Sequence, residues 1–113
     1  MKHVLFSLYG CDPELLNDEE FIRKILFEAT NEMGATFIMT QSHKFDPQGV
    51  TAVTLLAESH ISIHTWPENG TAVCDVFTCG NANPKVGAIY MGKKLKATKF
   101  TAQTIDRNLE LQT

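Results

Sequence analysis

Side chains capable of chemistry are concentrated in residues 57–68 and, a short distance downstream, in residues 78–80. The first segment reads Ala-Glu-Ser-His-Ile-Ser-Ile-His-Thr-Trp-Pro-Glu, and the second reads Thr-Cys-Gly. Together they carry hydroxyl, imidazole, carboxylate and thiol groups, which act in proteins as nucleophiles, as general acids and bases, and as metal ligands. We therefore look for the functional site in these two segments.

A metal site is the first possibility, because His60 and His64 lie four residues apart and Cys74 and Cys79 lie five apart. The β-branched composition around the histidines predicts a strand rather than a helix. A regular strand rises ~3.3 Å per residue and separates these histidines by ~13 Å, whereas a zinc ion holds its ligands at ~2 Å. We therefore predict no metal site.

A serine hydrolase is the second possibility, with Ser59 or Ser62 as the nucleophile and His64 as the base. Neither serine lies in a G-x-S-x-G elbow or in another nucleophile motif. On these residues alone, the simpler interpretation makes both serines ordinary strand residues and His64 a polar group with hydrogen-bond partners.

The composition is typical of one small globular domain spanning residues 1–113, since 43% of the residues are hydrophobic and 20% are charged. A net charge of -3 does not favour binding to nucleic acid. No apolar run approaches the ~20 residues of a membrane span, and residues 1–7 lack a signal-peptide pattern. We therefore expect a cytoplasmic protein that contacts no membrane. Its three cysteines cannot all pair within the chain, which is consistent with reduced thiols.

Two regular elements are predicted in the first third of the chain. Val4, Phe6 and Leu8 lie at alternate positions, which predicts a half-buried strand over residues 2–9. Asn17 is then predicted to cap a helix whose first turn is acidic. Apolar residues recur at helical spacing behind it, and Gly34 ends the helix.

The remaining pattern predicts mostly strands, over residues 35–43, 50–57, 59–66, 71–78 and 97–106. Asn83 and Pro84 begin a second helix that continues through Lys96. This order predicts an α+β fold, a two-layer sandwich in which both helices cover one face of a mainly antiparallel sheet. The other face stays partly apolar, which indicates an interface between copies of the chain.

The run Glu-Ser-His-Ile-Ser-Ile-His-Thr-Trp-Pro-Glu at 58–68, followed by Asp-Val-Phe-Thr-Cys-Gly at 75–80, resembles the prokaryotic S-adenosylmethionine decarboxylases. The resemblance extends over nearly the whole chain, including His3, the turn at Cys11 and Asp12, and residues 34–36 and 43–45. It implies decarboxylation of S-adenosylmethionine, whose product is the aminopropyl donor for spermidine synthesis. The same chemistry on arginine or ornithine, or an uncleaved relative that only binds a ligand, remains as an alternative.

Members of that family are pyruvoyl enzymes made as proenzymes, and the resemblance implies self-cleavage between Glu58 and Ser59. The Ser59 hydroxyl attacks the Glu58 carbonyl, the resulting ester eliminates, and the dehydroalanine hydrolyses to a pyruvoyl group. Residues 1–58 become the β chain and residues 59–113 the α chain. The pyruvoyl ketone then forms a Schiff base with the substrate amine and accepts the electrons released with carbon dioxide.

The resemblance also implies roles for five further residues. His64 serves as the processing base, Thr51 assists processing where the family usually has serine, and Cys79 protonates the substrate α-carbon. Phe45 stacks on adenine and Glu68 binds the ribose hydroxyls. The partners implied are S-adenosylmethionine and a second copy of the cleaved chain, because active sites in this family lie at a dimer interface.

One geometric problem follows from the spacing of Ser59 and His64, which are five residues apart. In a regular strand they lie on opposite faces and ~16 Å apart. Either the strand bends or bulges after Ser59, or His64 acts on Ser59 of another subunit. His3, His43, His60, Trp66, Cys11 and Cys74 have no role that the sequence assigns.

Overall fold

The computed structural model describes residues 1–111, and its strands form one antiparallel sheet of six. The sheet order is β2-β3-β4-β5-β1-β6, so the first strand lies between the last two strands of the chain. The elements are β1 (Lys2–Tyr9), α1 (Pro13–Leu16), α2 (Glu19–Met33), β2 (Phe37–Lys44), β3 (Val50–Leu56), β4 (Ser59–Trp66), β5 (Thr71–Thr78), α3 (Pro84–Lys94) and β6 (Lys99–Asp106), with a turn of 3-10 helix at Pro67–Asn69.

The two longer helices cover one face of this sheet, which confirms the predicted two-layer α+β sandwich. Helix α2 packs on β2 and β3, and α3 packs on β1 and β5. Alternate strand residues such as Val4, Ile61 and Val76 meet fully buried helix residues such as Ile25 and Met91. Burial of these inward-facing apolar side chains stabilises the packing of each strand against the helices.

The start of α2 differs by one residue from the prediction that Asn17 caps it. Asp18 is the N-cap, and its carboxylate accepts the backbone N–H of Phe21 at 3.0 Å. The short helix α1, which the sequence pattern did not predict, begins at Pro13 and ends at Leu16, with Asn17 as its C-cap. The Asn17 side chain is thereby free to accept the N–H of Gly49 at 2.8 Å.

The other predicted helix ends are confirmed, with small differences in length. Gly34 ends α2 in the left-handed conformation, with φ 77°. Asn83 caps α3 by accepting the N–H of Lys85 at 3.1 Å. Helix α3 ends at Lys94 instead of Lys96, because Lys96 itself adopts a left-handed φ of 60°.

No helix within residues 1–111 covers the second face of the sheet, and we call this the open face. Several large apolar side chains on it are about two-fifths exposed, namely those of Leu5, Tyr9, Leu55, Trp66 and Val73. This confirms the expectation of a partly apolar face. Among the helices of residues 1–111, none has the length and apolar character needed to cross a membrane.

Candidate active site

The Glu58–Ser59 peptide bond lies in the tight turn that joins β3 to β4. Leu56 pairs with Ser59 across the two strands, so Ala57 and Glu58 alone form the turn. Glu58 is exposed and has φ 62°, in the left-handed region that glycine occupies readily and a side chain makes unfavourable. The predicted scissile bond is therefore at the surface, directly after a residue with a strained backbone.

Ser59 lies beside Cys79, one of the residues to which the sequence pattern assigns chemistry. The Ser59 hydroxyl oxygen accepts the backbone N–H of Cys79 at 3.1 Å. Both residues are half-buried, and Cys79 is a free thiol directly after β5. They meet because β4 and β5 are neighbours in the sheet, although 20 residues separate them in sequence.

His64 lies at the far end of the same strand and on the opposite face. Ser59 pairs with the buried Leu56 on the helix-covered side, whereas His64 is exposed on the open face. The register between β3 and β4 is continuous from one end to the other. The predicted possibility of a bend or bulge after Ser59 is therefore wrong, and a strand of this length separates the two residues by ~16 Å.

Four of the predicted residues surround one cavity at the end of β4 that contains His64. Phe45, Thr51, His64 and Glu68 line it, and its volume is about 310 Å³. Thr51 and His64 are a directly paired couple on β3 and β4, and the Thr51 hydroxyl is 3.0 Å from His64 Nδ1. The cavity is small but falls within the range of ligand sites.

Backbone hydrogen bonds hold the loop that carries Phe45 against this cavity. The Phe45 N–H donates to the Gly49 carbonyl at 2.8 Å, and the Gly49 N–H donates to Asn17. The His43 ring meets the Phe45 ring edge-on, with centroids 4.6 Å apart. Phe45 remains about half exposed, so its ring is available to stack on a flat ligand.

Trp66 also lines this cavity, and the sequence left its role open. It is about two-fifths exposed, and its ring lies 6.5 Å from that of His64. Gln48 and Thr65 complete the polar part of the lining. The signal for Trp66 was its place in the alternation of β4, which puts it on the same face as His64.

A further group of titratable residues lies on the open face between the two ends of β4. Asp75 on β5 accepts from His3 Nε2 at 2.6 Å and from His60 Nε2 at 2.8 Å, and the Ser62 hydroxyl donates to its other oxygen. We call these four residues the Asp75 cluster. No local pattern predicts it, because its members come from three strands.

The charge state of the Asp75 cluster follows from its hydrogen bonds. Burial raises the pKa of the Asp75 carboxyl, but hydrogen bonds from Ser62, His3 and His60 outweigh burial and lower the pKa below its usual value. Arg107 lies 3.0 Å from His3 Nδ1, and a guanidinium group only donates. His3 Nδ1 is therefore the acceptor, and His3 Nε2 carries the proton that is donated to Asp75.

His3, His60 and Asp75 bring three possible metal-ligand atoms within 4.8 Å of one another. Binding a metal through His3 Nε2 requires a lone pair on that nitrogen. The ring would then carry its proton on Nδ1 and direct it at the Arg107 guanidinium. The hydrogen bonding of His3 thus disfavours a metal held by these three residues.

The two remaining cysteines lie in the core. Cys11 and Cys74 are both buried, and burial raises the pKa of each thiol. Burial thus makes both thiols less reactive than an accessible cysteine.

Comparisons with known proteins give the family of this chain. A family model described as S-adenosylmethionine decarboxylase matches residues 2–108. The chain belongs to the S-adenosylmethionine decarboxylase family. It is 46% identical over 109 residues to the S-adenosylmethionine decarboxylase proenzyme of Clostridium tetani, covering 96% of this chain and 86% of that protein.

Two further relatives also match nearly the whole chain. The S-adenosylmethionine decarboxylase proenzyme of Methanococcus aeolicus is 49% identical over 107 residues, covering 94% of this chain and 92% of that protein. The crystal structure of the adenosylmethionine decarboxylase from Aquifex aeolicus superposes with a TM-score of 0.88 at 36% identity, covering 99% of this chain and 93% of that chain.

Proposed function

We propose that the chain is a proenzyme that cleaves itself at Glu58–Ser59 and then decarboxylates S-adenosylmethionine with a pyruvoyl group derived from Ser59. One observation carries this proposal: the Ser59 hydroxyl follows an exposed, strained turn and accepts the Cys79 amide N–H, in a chain of this family. A serine whose α-carbon must become a ketone carbon needs to lie next to a bond that can be broken and beside the later proton donor. Ser59 meets both requirements.

Self-cleavage uses the residues of the turn. Ser59 Oγ bonds to the carbonyl carbon of Glu58, the carbon–nitrogen bond breaks, and an ester replaces the amide. A base removes the α-proton of residue 59, and Glu58 leaves as the carboxylate end of the β chain. The double bond that remains takes up water and loses ammonia, which leaves a ketone at the start of the α chain. His64 is the proposed base, assisted by the Thr51 hydroxyl at 3.0 Å.

The distance between Ser59 and His64 supports a site built from two protomers. The two residues lie on opposite faces of one unbroken strand, ~16 Å apart, whereas a base must come within about 3 Å of the proton that it removes. The partly apolar open face is the surface available for a homodimer. In such a dimer, Ser59 and Cys79 of one protomer meet the cavity with His64 and Glu68 of its partner.

The cavity is suited to a nucleoside. Phe45 offers an exposed aromatic face for adenine, which also suits the positive sulfonium of the substrate. Glu68 offers a carboxylate that accepts hydrogen bonds from two adjacent ribose hydroxyls. Arginine and ornithine have neither an adenine ring nor ribose hydroxyls, so the cavity lining favours S-adenosylmethionine.

The pyruvoyl group supplies an electron sink that an amino acid needs in order to lose carbon dioxide. The residues of this chain bind and orient the substrate and move protons. Cys79, beside residue 59, is the proposed donor of a proton to the substrate α-carbon after the carboxylate has left. The cytoplasmic location stays a prediction.

Denaturing mass spectrometry of the purified protein tests the cleavage. We expect fragments of residues 1–58 and 59–113, the second without a free amine. Carbon dioxide release from S-adenosylmethionine, arginine and ornithine, measured on one preparation, tests the substrate. An intact 113-residue chain that releases carbon dioxide refutes the pyruvoyl mechanism, and an uncleaved chain that binds S-adenosylmethionine without turnover favours a ligand-binding relative.

A further inference from the structure

The Asp75 cluster lies next to the proposed pyruvoyl position, although none of its residues takes part in the proposed chemistry. His60 directly follows Ser59 in β4, and Cys79 follows Asp75 by four residues at the end of β5. The segment that carries the reacting residue and the segment that carries the thiol are therefore linked by the His60–Asp75 contact at 2.8 Å.

After cleavage at Glu58–Ser59, the His60–Asp75 contact becomes more important for the position of residue 59. Residue 59 becomes a chain end and loses its covalent link to the turn. His60 is then the first residue of the α chain whose side chain is hydrogen-bonded to the sheet. Its ring also stacks on Phe77, with centroids 5.9 Å apart and an angle of 26° between the planes. Two contacts thus hold the residue next to the new end.

Asp75 itself is held from both sides. Ser62 donates to one carboxylate oxygen, and His3 Nε2 donates to the other at 2.6 Å. Because Arg107 is the donor to His3 Nδ1, the orientation and tautomer of the His3 ring are both determined. The carboxylate side chain is only 20% exposed, so these hydrogen bonds meet little competition from water.

We propose that Asp75 and His60 are positioning residues that hold residue 59 beside Cys79, with His3 of the β chain keeping Asp75 in place. The inference rests on the proposed function and adds residues that do not touch the reacting atoms. A shift of about 1 Å between a reacting group and its proton donor costs on the order of 100-fold in rate. Loss of the His60 contact should therefore lower the rate more than it lowers substrate binding.

The test compares H60A with H60Q, because glutamine keeps an N–H donor at about the reach of imidazole Nε2. K24A is the control. Lys24 is an exposed residue of α2, in the helical layer and away from the open face. For each variant we would measure the cleaved fraction, the kcat and KM of the cleaved enzyme, thermal unfolding, and hydrogen exchange of residues 59–66.

We expect cleaved H60A to lose at least about 10-fold in kcat while KM changes less than about 3-fold, because Phe45 and Glu68 lie at the other end of β4. Exchange of residues 59–66 should be faster in H60A, and H60Q should recover most of both properties. If H60A folds but stays uncleaved while H60Q is cleaved, the inference is also supported. His60 then positions the Ser59 hydroxyl for the cleavage step.

Two results overturn the inference. One is cleaved H60A with wild-type kcat and wild-type exchange, and the other is H60Q with the same defects as H60A. If H60A does not fold, D75N provides the same comparison, and a wild-type rate in cleaved D75N overturns the inference. Failure of the proposed function is distinguishable, because the wild-type protein would then be uncleaved or would release no carbon dioxide from S-adenosylmethionine.

Discussion

A mixture of two inactive variants, S59A and H64A, should recover activity if each site is built from two protomers. The S59A chain keeps His64 and its cavity but cannot form the pyruvoyl group. The H64A chain keeps Ser59 and Cys79 but lacks the processing base. Within one chain the two residues are ~16 Å apart and on opposite faces of β4, so neither variant can restore its own site.

The size of the recovery follows from the symmetry of a dimer. When the two chains are present in equal amounts and pair at random, about half of the dimers contain one of each. Each mixed dimer has one complete site and one site that lacks both residues. About a quarter of the wild-type activity is therefore expected, and about half of the H64A chains should be cleaved.

Coexpression of the two variants with different affinity tags supplies the assay. Sequential purification on both tags isolates the mixed dimer, and denaturing mass spectrometry shows which chain is cleaved. The H64A chain should be split at Glu58–Ser59, and the S59A chain should be intact. Carbon dioxide release from S-adenosylmethionine then gives the activity per mixed dimer.

The matched control is a mixture of S59A with C79A. Ser59 and Cys79 belong to the same half of the proposed site, since the Ser59 hydroxyl accepts the Cys79 N–H at 3.1 Å. No site in that mixture combines both residues, so decarboxylation should not recover. Cleavage of H64A by itself at the wild-type rate, or a purified mixed dimer of S59A and H64A without cleavage, would refute the two-protomer site.

Four further outcomes are expected. S59A alone should migrate as one uncleaved chain in denaturing electrophoresis. E68Q should be cleaved normally but show a KM raised about 10- to 100-fold in steady-state kinetics, because a hydrogen bond to a charged group contributes about 1.5–3 kcal/mol. Leu26 is fully buried in α2, so L26A should lower the free energy of unfolding in urea by about 2–5 kcal/mol, whereas K24A should change it little. The pKa of Asp75 is lowered in the folded state. The ionised carboxylate therefore stabilises the fold above the unfolded-state pKa of about 4, and this contribution is lost as pH falls through the folded-state pKa. The difference in unfolding free energy between wild type and D75N should shrink over the same pH range in an acid titration.

Local chemistry was enough to predict most of the regular elements. Pro67 and Gly70 lie between the predicted strands 59–66 and 71–78 and favour a turn there, and the structure has a 3-10 turn that ends at Gly70 in the left-handed conformation. Asn83 with Pro84, and Gly34, predicted helix ends for the same reason. Such signals act over a few residues, so they can be read without the tertiary structure.

The boundary at Asn17 shows where local chemistry is insufficient. Asn17 and Asp18 are both good caps, and the acidic turn that follows suits either. Asn17 is used elsewhere, because its side chain accepts an N–H from Gly49, 32 residues away. The contact with Gly49 thus leaves Asp18 as the cap of α2. A contact between residues so far apart in sequence cannot be read from a local pattern.

The sequence by itself determined the type of each main element, the two-layer sandwich and the resemblance that names the reacting residues. It did so because helix periodicity, strand alternation, caps and turns are local, and because the motif at 58–68 and 75–80 has fixed intervals. It also showed that Ser59 and His64 cannot meet in one regular strand.

Only the tertiary structure decided which strands are neighbours, and that decision assembles the site. The order β4-β5-β1 brings Cys79 to Ser59 and brings His3 and His60 to Asp75. The continuous register of β4 then separates Ser59 from the cavity with His64. Strand pairing depends on how the whole sheet buries its apolar face against α2 and α3, so contacts across 15 to 72 residues become fixed only when the complete core forms.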